Sequence, residues 1–362
     1  MLFQEPISEQ CSRVVPLANT LAVLADELWL AITGWRCWWV EMNCSGQSVW
    51  ETKASAKQTL NNRRNSCMYF KSLTFVSLLL FSSVSSAVEP DETHLYTYDT
   101  LRYLDLYLPG PNAWIDQGES RPAAIVIHGG GWSSGSRNGD MLLVAHWLAA
   151  QGMVVISVDY SLSTTHKWPT QITDVAQGVW WLKNNADAYN IDSNKILAVG
   201  GSAGGHLAAM LGQIVLTDSV NGVDSEVHGV VSLWGPWNLA DLESVVDPEI
   251  ETDKVVEDRI GNVYNLLPIF NVNAQVQASP IYYINNNSPR TLLFNGDRDG
   301  AAPIRQANTA CAVYALKGLP ESQCKVVPLP GMGHHWPVLP ENMTTFVEEF
   351  QLFLNEWVGT PN

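Results

Sequence analysis

Between residues 123 and 329 the chain carries six short, unbroken apolar runs: AAIVIH (123–128), MVVISVDY (153–160), KILAVG (195–200), GVVSLW (229–234), RTLLFN (290–295) and CKVVPL (324–329). No other feature constrains the fold as much. Val/Ile/Leu runs without polar alternation suit strands covered on both faces. Helical patterns at 169–189, 204–216 and 303–317 lie between them, and strands alternating with helices make a mostly parallel sheet. A closing helix is the clearest of all. Met343, Phe346, Val347, Phe350, Phe353, Leu354 and Trp357 fall at helical spacing along one apolar face. LYTY (95–98) and LDLYL (104–108) read as an opening hairpin. The expected class is α/β, with a mostly parallel central sheet and helices on both faces.

The chain is long enough for a sizeable core, with 362 residues of which 46% are hydrophobic and 15% charged. A net charge of −16 would repel nucleic acid and anionic membrane surfaces, so neither is expected as a partner. The acidity is uneven. Residues 1–67 hold six acidic and six basic residues, four of the six cysteines and no sustained period, so the acidic excess belongs to residues 68–362. Residues 68–87, MYFKSLTFVSLLLFSSVSSA, join a basic start at Lys71, a nine-residue apolar stretch and a small-residue end at Ser85, Ser86 and Ala87. That is the form of a secretory signal peptide. The apolar stretch is well short of the roughly 20 residues that span a bilayer, so no stable membrane anchor is expected. The expected organisation is an upstream extension (1–67), a signal segment (68–87) and a secreted or periplasmic catalytic domain (88–362). That domain retains two cysteines, Cys311 and Cys324, and export makes a disulfide between them possible. Nothing has the spacing of a metal site.

Reactive groups in a parallel sheet belong beyond the carboxyl ends of its strands. There, after KILAVG, Gly200-Gly201-Ser202-Ala203-Gly204 fits Gly-x-Ser-x-Gly. In that pattern a sharp strand-to-helix turn lifts a serine and glycines remove side chains that would clash. A glycine-rich turn packing a helix close to a strand would look the same. Other segments favour the chemical reading. HGGGW (128–132) follows the third strand, with glycines that leave backbone N–H groups free to face an oxyanion. NGDRDGAAP (295–303) and PGMGHHW (330–336) follow the last two strands. Serine, then aspartate, then histidine, each after a strand end, is the chain order of a hydrolase triad.

These segments, with VISVDYSLS, GGSAGGHLAAMLG and ASPIYYI, resemble the α/β-hydrolase esterases over roughly residues 94–357. Most similar are the secreted HGGG-containing carboxylesterases, including those acting on acetyl or feruloyl esters of plant polysaccharides, and the hormone-sensitive-lipase-like esterases. The resemblance implies an α/β-hydrolase fold, with Ser202 as nucleophile, Asp299 as acid and His334 as base. The backbone N–H groups of Gly130, Gly131 and Ala203 would form the oxyanion hole, and no metal or organic cofactor is implied. Asp297 competes with Asp299 for the acid role, and family spacing favours Asp299. His335 adjoins His334 where relatives usually carry glycine. His206 reads as a packed core histidine, His128 as a residue ordering the oxyanion loop, and Asp159 as a loop pin.

Trp132, Trp237 and Trp336 adjoin the motifs and are candidates for an aromatic substrate pocket, against the plainer reading of core tryptophans. Residues 238–280 are acidic and irregular, suggesting a small cap or lid. The expected activity is hydrolysis of small-molecule or polysaccharide-linked short-chain acyl esters. An arylformamidase-like amide hydrolase and a non-catalytic binding module on the same scaffold are the alternatives.

Overall fold

The computed structural model describes residues 89–110, 120–219, 222–241, 250, 253–337 and 339–359. The extension expected over 1–67 and the signal segment expected over 68–87 lie outside the described residues, as do 242–249 and 251–252 of the expected cap.

Among the described residues eight strands form one sheet: β1 (Glu92–Leu95), β2 (Tyr103–Tyr107), β3 (Arg121–Ile127), β4 (Val154–Val158), β5 (Ile191–Gly201), β6 (Gly229–Leu233), β7 (Arg290–Gly296) and β8 (Cys324–Leu329). Their order is β1-β2-β4-β3-β5-β6-β7-β8. β2 pairs antiparallel with β1 and β4, and every other pairing is parallel. The first strand ends earlier than LYTY suggests. The ladder stops at Leu95 opposite Tyr103, and the connection turns back through Leu101 at φ 54°.

The helices among the described residues are α1 (Leu142–Gln151), α2 (Thr170–Asn184, followed by a short turn at Ala186–Tyr189), α3 (Ala203–Gln213), α4 (Asp253–Leu266), α5 (Val272–Gln277), α6 (Ile304–Leu316) and α7 (Pro340–Val358). β3 shows why the apolar runs do not alternate. Ala123, Ile125 and Ile127 pack with Val175 and Val179 of α2 and Leu207 and Leu211 of α3, whereas Ala124 and Val126 face α1 and α7 through Val144, Leu148, Phe350 and Leu354. Successive residues point to opposite faces, and both faces are roofed. Each fully buried Val, Leu, Ile or Phe contributes on the order of 1.5–3 kcal/mol. The closing helix buries Phe346, Phe350, Phe353 and Leu354, the face its spacing predicts.

Two features position the site. After β3 the chain goes to β4 on one side, and after β5 to β6 on the other. Neighbouring strands whose connections diverge leave a crevice beyond their carboxyl ends, and the HGGGW and GGSAGG segments both open there. The outer loops are then tied down. Cys311 of α6 and Cys324 of β8 form a disulfide with Cα atoms 5.2 Å apart. Arg137 pairs with both Asp105 and Asp159, and its backbone N–H donates to Asp159 at 2.8 Å, holding the loop after β3.

Candidate active site

Ser202 stands at the turn between β5 and α3 with φ 53° and ψ −118°, a conformation that costs a non-glycine residue about 1–3 kcal/mol. Its neighbours make the bend feasible. A Cβ on Gly200 would lie 2.2 Å from the carbonyl oxygen of Gly204, and one on Gly204 would lie 2.1 Å from that of Ile127. Any side chain at either position would push the helix off the strands. The bend is anchored by Ser202 N–H donating to Leu233 O at 2.8 Å.

The Ser202 hydroxyl meets His334 Nε2 at 2.7 Å. On the other side of the ring, His334 Nδ1 contacts Asp299 Oδ2 at 2.8 Å and Oδ1 at 3.1 Å. The loops bearing these two residues follow β7 and β8 and are laced together by Arg298 N–H donating to Met332 O at 3.0 Å. Asp299 is buried, and its Oδ1 accepts the backbone N–H groups of Ala301 and Ala302 at 2.9 and 2.8 Å. Those bonds fix the orientation of the carboxylate so that it faces the imidazole. Asp297 takes no part. It accepts Gly331 N–H at 2.7 Å, bridging the two loops. His335 is exposed and donates from Nδ1 to Trp336 O at 2.9 Å.

The loop after β3 forms the opposite wall. Gly130 has φ 104° and Gly131 φ 58°, and the Gly130 carbonyl accepts Ser133 and Ser134 N–H, closing a tight turn. Gly130, Gly131 and Ala203 all line the cavity with Ser202, and no acceptor among the described residues takes their N–H groups. His128 is buried beneath this loop. It donates from Nδ1 to Gly129 O at 2.7 Å and stacks on Tyr160 with ring centroids 4.3 Å apart, and burial lowers its pKa. His206, on α3, is wholly buried and its pKa is pushed down to about 4 by burial, so it is neutral at physiological pH. Its two ring nitrogens contact the Trp132 indole N–H and the Ala278 carbonyl.

The cavity above Ser202 measures about 460 Å³. Trp132 and Trp336 line it, but Trp237 does not. Trp237 is 0% exposed, packed among Ile281, Leu293 and Tyr314. The aromatic residue contributed by that segment is Trp234, which meets Trp336 edge-on at 5.1 Å. Trp234 immediately follows β6, where a side chain still points over the sheet's carboxyl edge, and three residues further the chain has turned into the core. The strand-end rule that locates Ser202, Asp299 and His334 also selects it.

The segment expected to be irregular contains two helices, and α4 supplies a wall through Val255, Asp258, Asn262 and Val263. The Asn262 carboxamide lies against Gly131, 3.1 Å from where a Cβ there would stand. Asp140 also lines the cavity and accepts Gly129 N–H at 3.2 Å. Neither Asn262 nor Asp140 lies in a motif, so only the fold reveals them. No group of three or more His, Cys, Asp or Glu side chains able to hold a metal ion occurs among the described residues.

A sheet of this order, with a serine on the turn after β5 and an acid and a histidine after β7 and β8, defines an α/β-hydrolase-fold protein. Within that class the chain belongs to the BD-FAE family, whose model matches residues 104–312. It is similar to esterase LipC of Mycobacterium tuberculosis, 32% identical over 248 residues that make up 65% of this chain and 58% of that one. The chain spans about half the length of the curated relatives it matches, the covered share being 58%, 44% and 51% for three mycobacterial proteins. Among solved structures it resembles Thermogutta terrifontis esterase 2 phosphonylated by sarin, with a TM-score of 0.60 and 25% identity over 77% of this chain and 99% of that one. It shares its fold with an acetyl ester-xyloside bifunctional hydrolase from Caldicellulosiruptor lactoaceticus, at a TM-score of 0.61 and 19% identity over 76% of this chain and all of that one.

Proposed function

We propose that the protein is a serine carboxylesterase that cleaves short-chain acyl esters through an acyl-enzyme, with Ser202 as nucleophile, His334 as general base and acid, and Asp299 as the group that orients the imidazole. The observation that carries this reading is the continuous contact from Ser202 Oγ through His334 to buried Asp299, open to a cavity bordered by the backbone N–H groups of Gly130, Gly131 and Ala203. A serine hydroxyl is a weak nucleophile at neutral pH. His334 Nε2 takes its proton as Oγ attacks the ester carbonyl, then returns it to the departing alkoxide, a role worth roughly 10²- to 10⁴-fold. Water repeats the cycle to release the acid. Asp299 holds the proton on Nδ1 and stabilises the transient imidazolium. The three N–H groups receive the developing oxyanion, each contributing on the order of 10²- to 10³-fold.

The walls of the cavity support this substrate class. Its volume suits an acetyl or other short acyl group together with part of the alcohol. The edge-on pair of Trp234 and Trp336 offers a face for a feruloyl ring or a sugar, consistent with acetyl or feruloyl esters of plant polysaccharides. Export through the segment at 68–87 completes the proposal, and the Cys311–Cys324 disulfide supports an oxidising compartment. Intact mass of the natively expressed protein tests that part, with a start near residue 88 expected and retention of 1–67 overturning it.

The activity is tested with p-nitrophenyl esters of increasing acyl length beside acetylated xylan, methyl ferulate and an N-formyl arylamide. Turnover is expected to fall with acyl length, and a fluorophosphonate is expected to label Ser202 stoichiometrically. Preference for the arylamide would move the protein to the amide hydrolases. An unlabelled Ser202 would leave a binding protein.

A further inference from the structure

We propose that His206 is a positioning residue for the oxyanion loop: its neutral imidazole ties Trp132, and through it Gly130 and Gly131, to the nucleophile helix and to the end of the cap segment. The inference rests on the reading of Gly130 and Gly131 as oxyanion donors given above.

Trp132 Nε1 lies 3.2 Å from His206 Nδ1, and His206 Nε2 lies 2.6 Å from Ala278 O. An indole N–H can only donate and a carbonyl can only accept. Nδ1 is therefore the acceptor and Nε2 carries the hydrogen, which fixes both tautomer and charge. No other side chain presents an acceptor and a donor on opposite edges of one rigid ring. The ring is wholly buried, and burial disfavours the imidazolium, which would turn a second N–H against that of Trp132. The Trp132 ring also meets His206 edge-on, 5.2 Å between centroids at 88°.

Trp132 needs such a hold. Its backbone has φ 58°, directly after the two glycines that face Ser202, so the loop is held in a conformation that a tryptophan does not choose by itself. His206 reaches it from α3, one turn beyond the nucleophile, with His206 N–H donating to Ser202 O at 3.0 Å. On the far side, Ala278 closes α5, at the end of the cap segment. One buried ring thus joins the nucleophile helix, the oxyanion loop and the segment whose helix α4 lines the cavity. Displacing the glycine N–H groups by about 1 Å is enough to cost roughly 10²-fold in rate.

Two substitutions separate the ring's two bonds. Asn at 206 keeps an acceptor near the Nδ1 position, and Gln keeps a donor near Nε2. We expect His206→Asn to hold kcat within about threefold of the parent on p-nitrophenyl acetate. His206→Gln should lower kcat by roughly 10- to 100-fold, with KM moving less than about threefold. Trp132→Phe, which keeps a ring but removes the N–H, should show the same loss, and combining it with His206→Gln should add almost nothing. Parental kcat in His206→Gln or Trp132→Phe, even with a lowered melting temperature, overturns the inference and leaves His206 a packing residue. Should His206→Gln fail to fold, Trp132→Phe alone decides the outcome by the same criterion. An inactive parent with unlabelled Ser202 refutes the esterase reading instead, so the two failures are distinguishable.

Discussion

At the scale of single residues, the strain at Ser202 is open to measurement. A side chain held at φ 53° costs about 1–3 kcal/mol, and glycine tolerates that backbone at an entropic cost of about 0.5–1 kcal/mol. Both Ser202→Ala and Ser202→Gly should lose at least about 10⁴-fold in turnover. The glycine variant should be more stable than the alanine variant by about 1 kcal/mol, or roughly 2–4 °C in melting temperature. An alanine variant that melts higher would show the bend to be unstrained. The adjacent histidines make a second contrast. His334→Ala should lose turnover by a similar factor, whereas His335→Ala should retain most of it, since that ring is exposed and bonded to Trp336 O. The reverse ranking in kcat would move the base to His335. These residues are legible in the sequence because motif and chain order confine them to strand ends. Trp237 is not, because proximity to a motif in sequence says nothing about which way a side chain turns once the strand has ended, and the core takes it.

At the scale of elements, legibility follows the clarity of the period. α7 carries its apolar stripe along one face and is plain in the sequence. α1 escapes a periodic reading because LLVAHWLAAQ is apolar nearly all round: it packs on the sheet through Val144, Ala145, Leu148 and Ala149, and its remaining apolar residues blur the helical period. α4 escapes it for the opposite reason, since its charged surface reads like a loop, while Val263 and Leu266 are its buried apolar residues and buried Arg259 donates to Gly300 O at 2.8 Å. The pairing of α6 with β8 by Cys311 and Cys324 lies within reach of a stability test. The bond spans a sequence separation of 13 residues, and closing a loop of that size restricts the unfolded chain by about 3 kcal/mol. Cys311→Ala with Cys324→Ala should lower the melting temperature by roughly 6–12 °C. Cys324 opens β8, whereas His334 lies beyond its far end, so kcat at about 25 °C should be unchanged. A loss of kcat without a loss of melting temperature would mean that the bond shapes the site.

At the scale of the whole molecule, the parallel sheet and its two roofs are legible because the strands carry no polar alternation, whereas the composition of the cavity walls is not, because they are assembled from loops that meet only in the fold. The same burial that builds the core also sets how stability responds to acid. His128, His206 and His228 all have pKa values lowered by burial, His206 to about 4. In the unfolded chain each returns to about 6.5. Between these values the unfolded state binds more protons than the folded state, so stability rises with pH across that window. The histidine contribution is complete above about pH 6.5 and is lost progressively as pH falls toward about 4. For His206 the full contribution is on the order of 3 kcal/mol. Asp224, whose burial would raise its pKa but which the Lys183 ammonium and the Glu226 backbone N–H bring down overall, acts in the same direction but only below the ordinary carboxylate range. Urea unfolding at half-unit steps from about pH 4 to about pH 8 should therefore show a plateau above about 6.5 and a steep decline beneath it. His206→Asn should reduce the steepness by up to about 1.4 kcal/mol per pH unit, whatever its effect on the plateau. A decline of the same slope in both proteins would mean that His206 takes up its proton without unfolding.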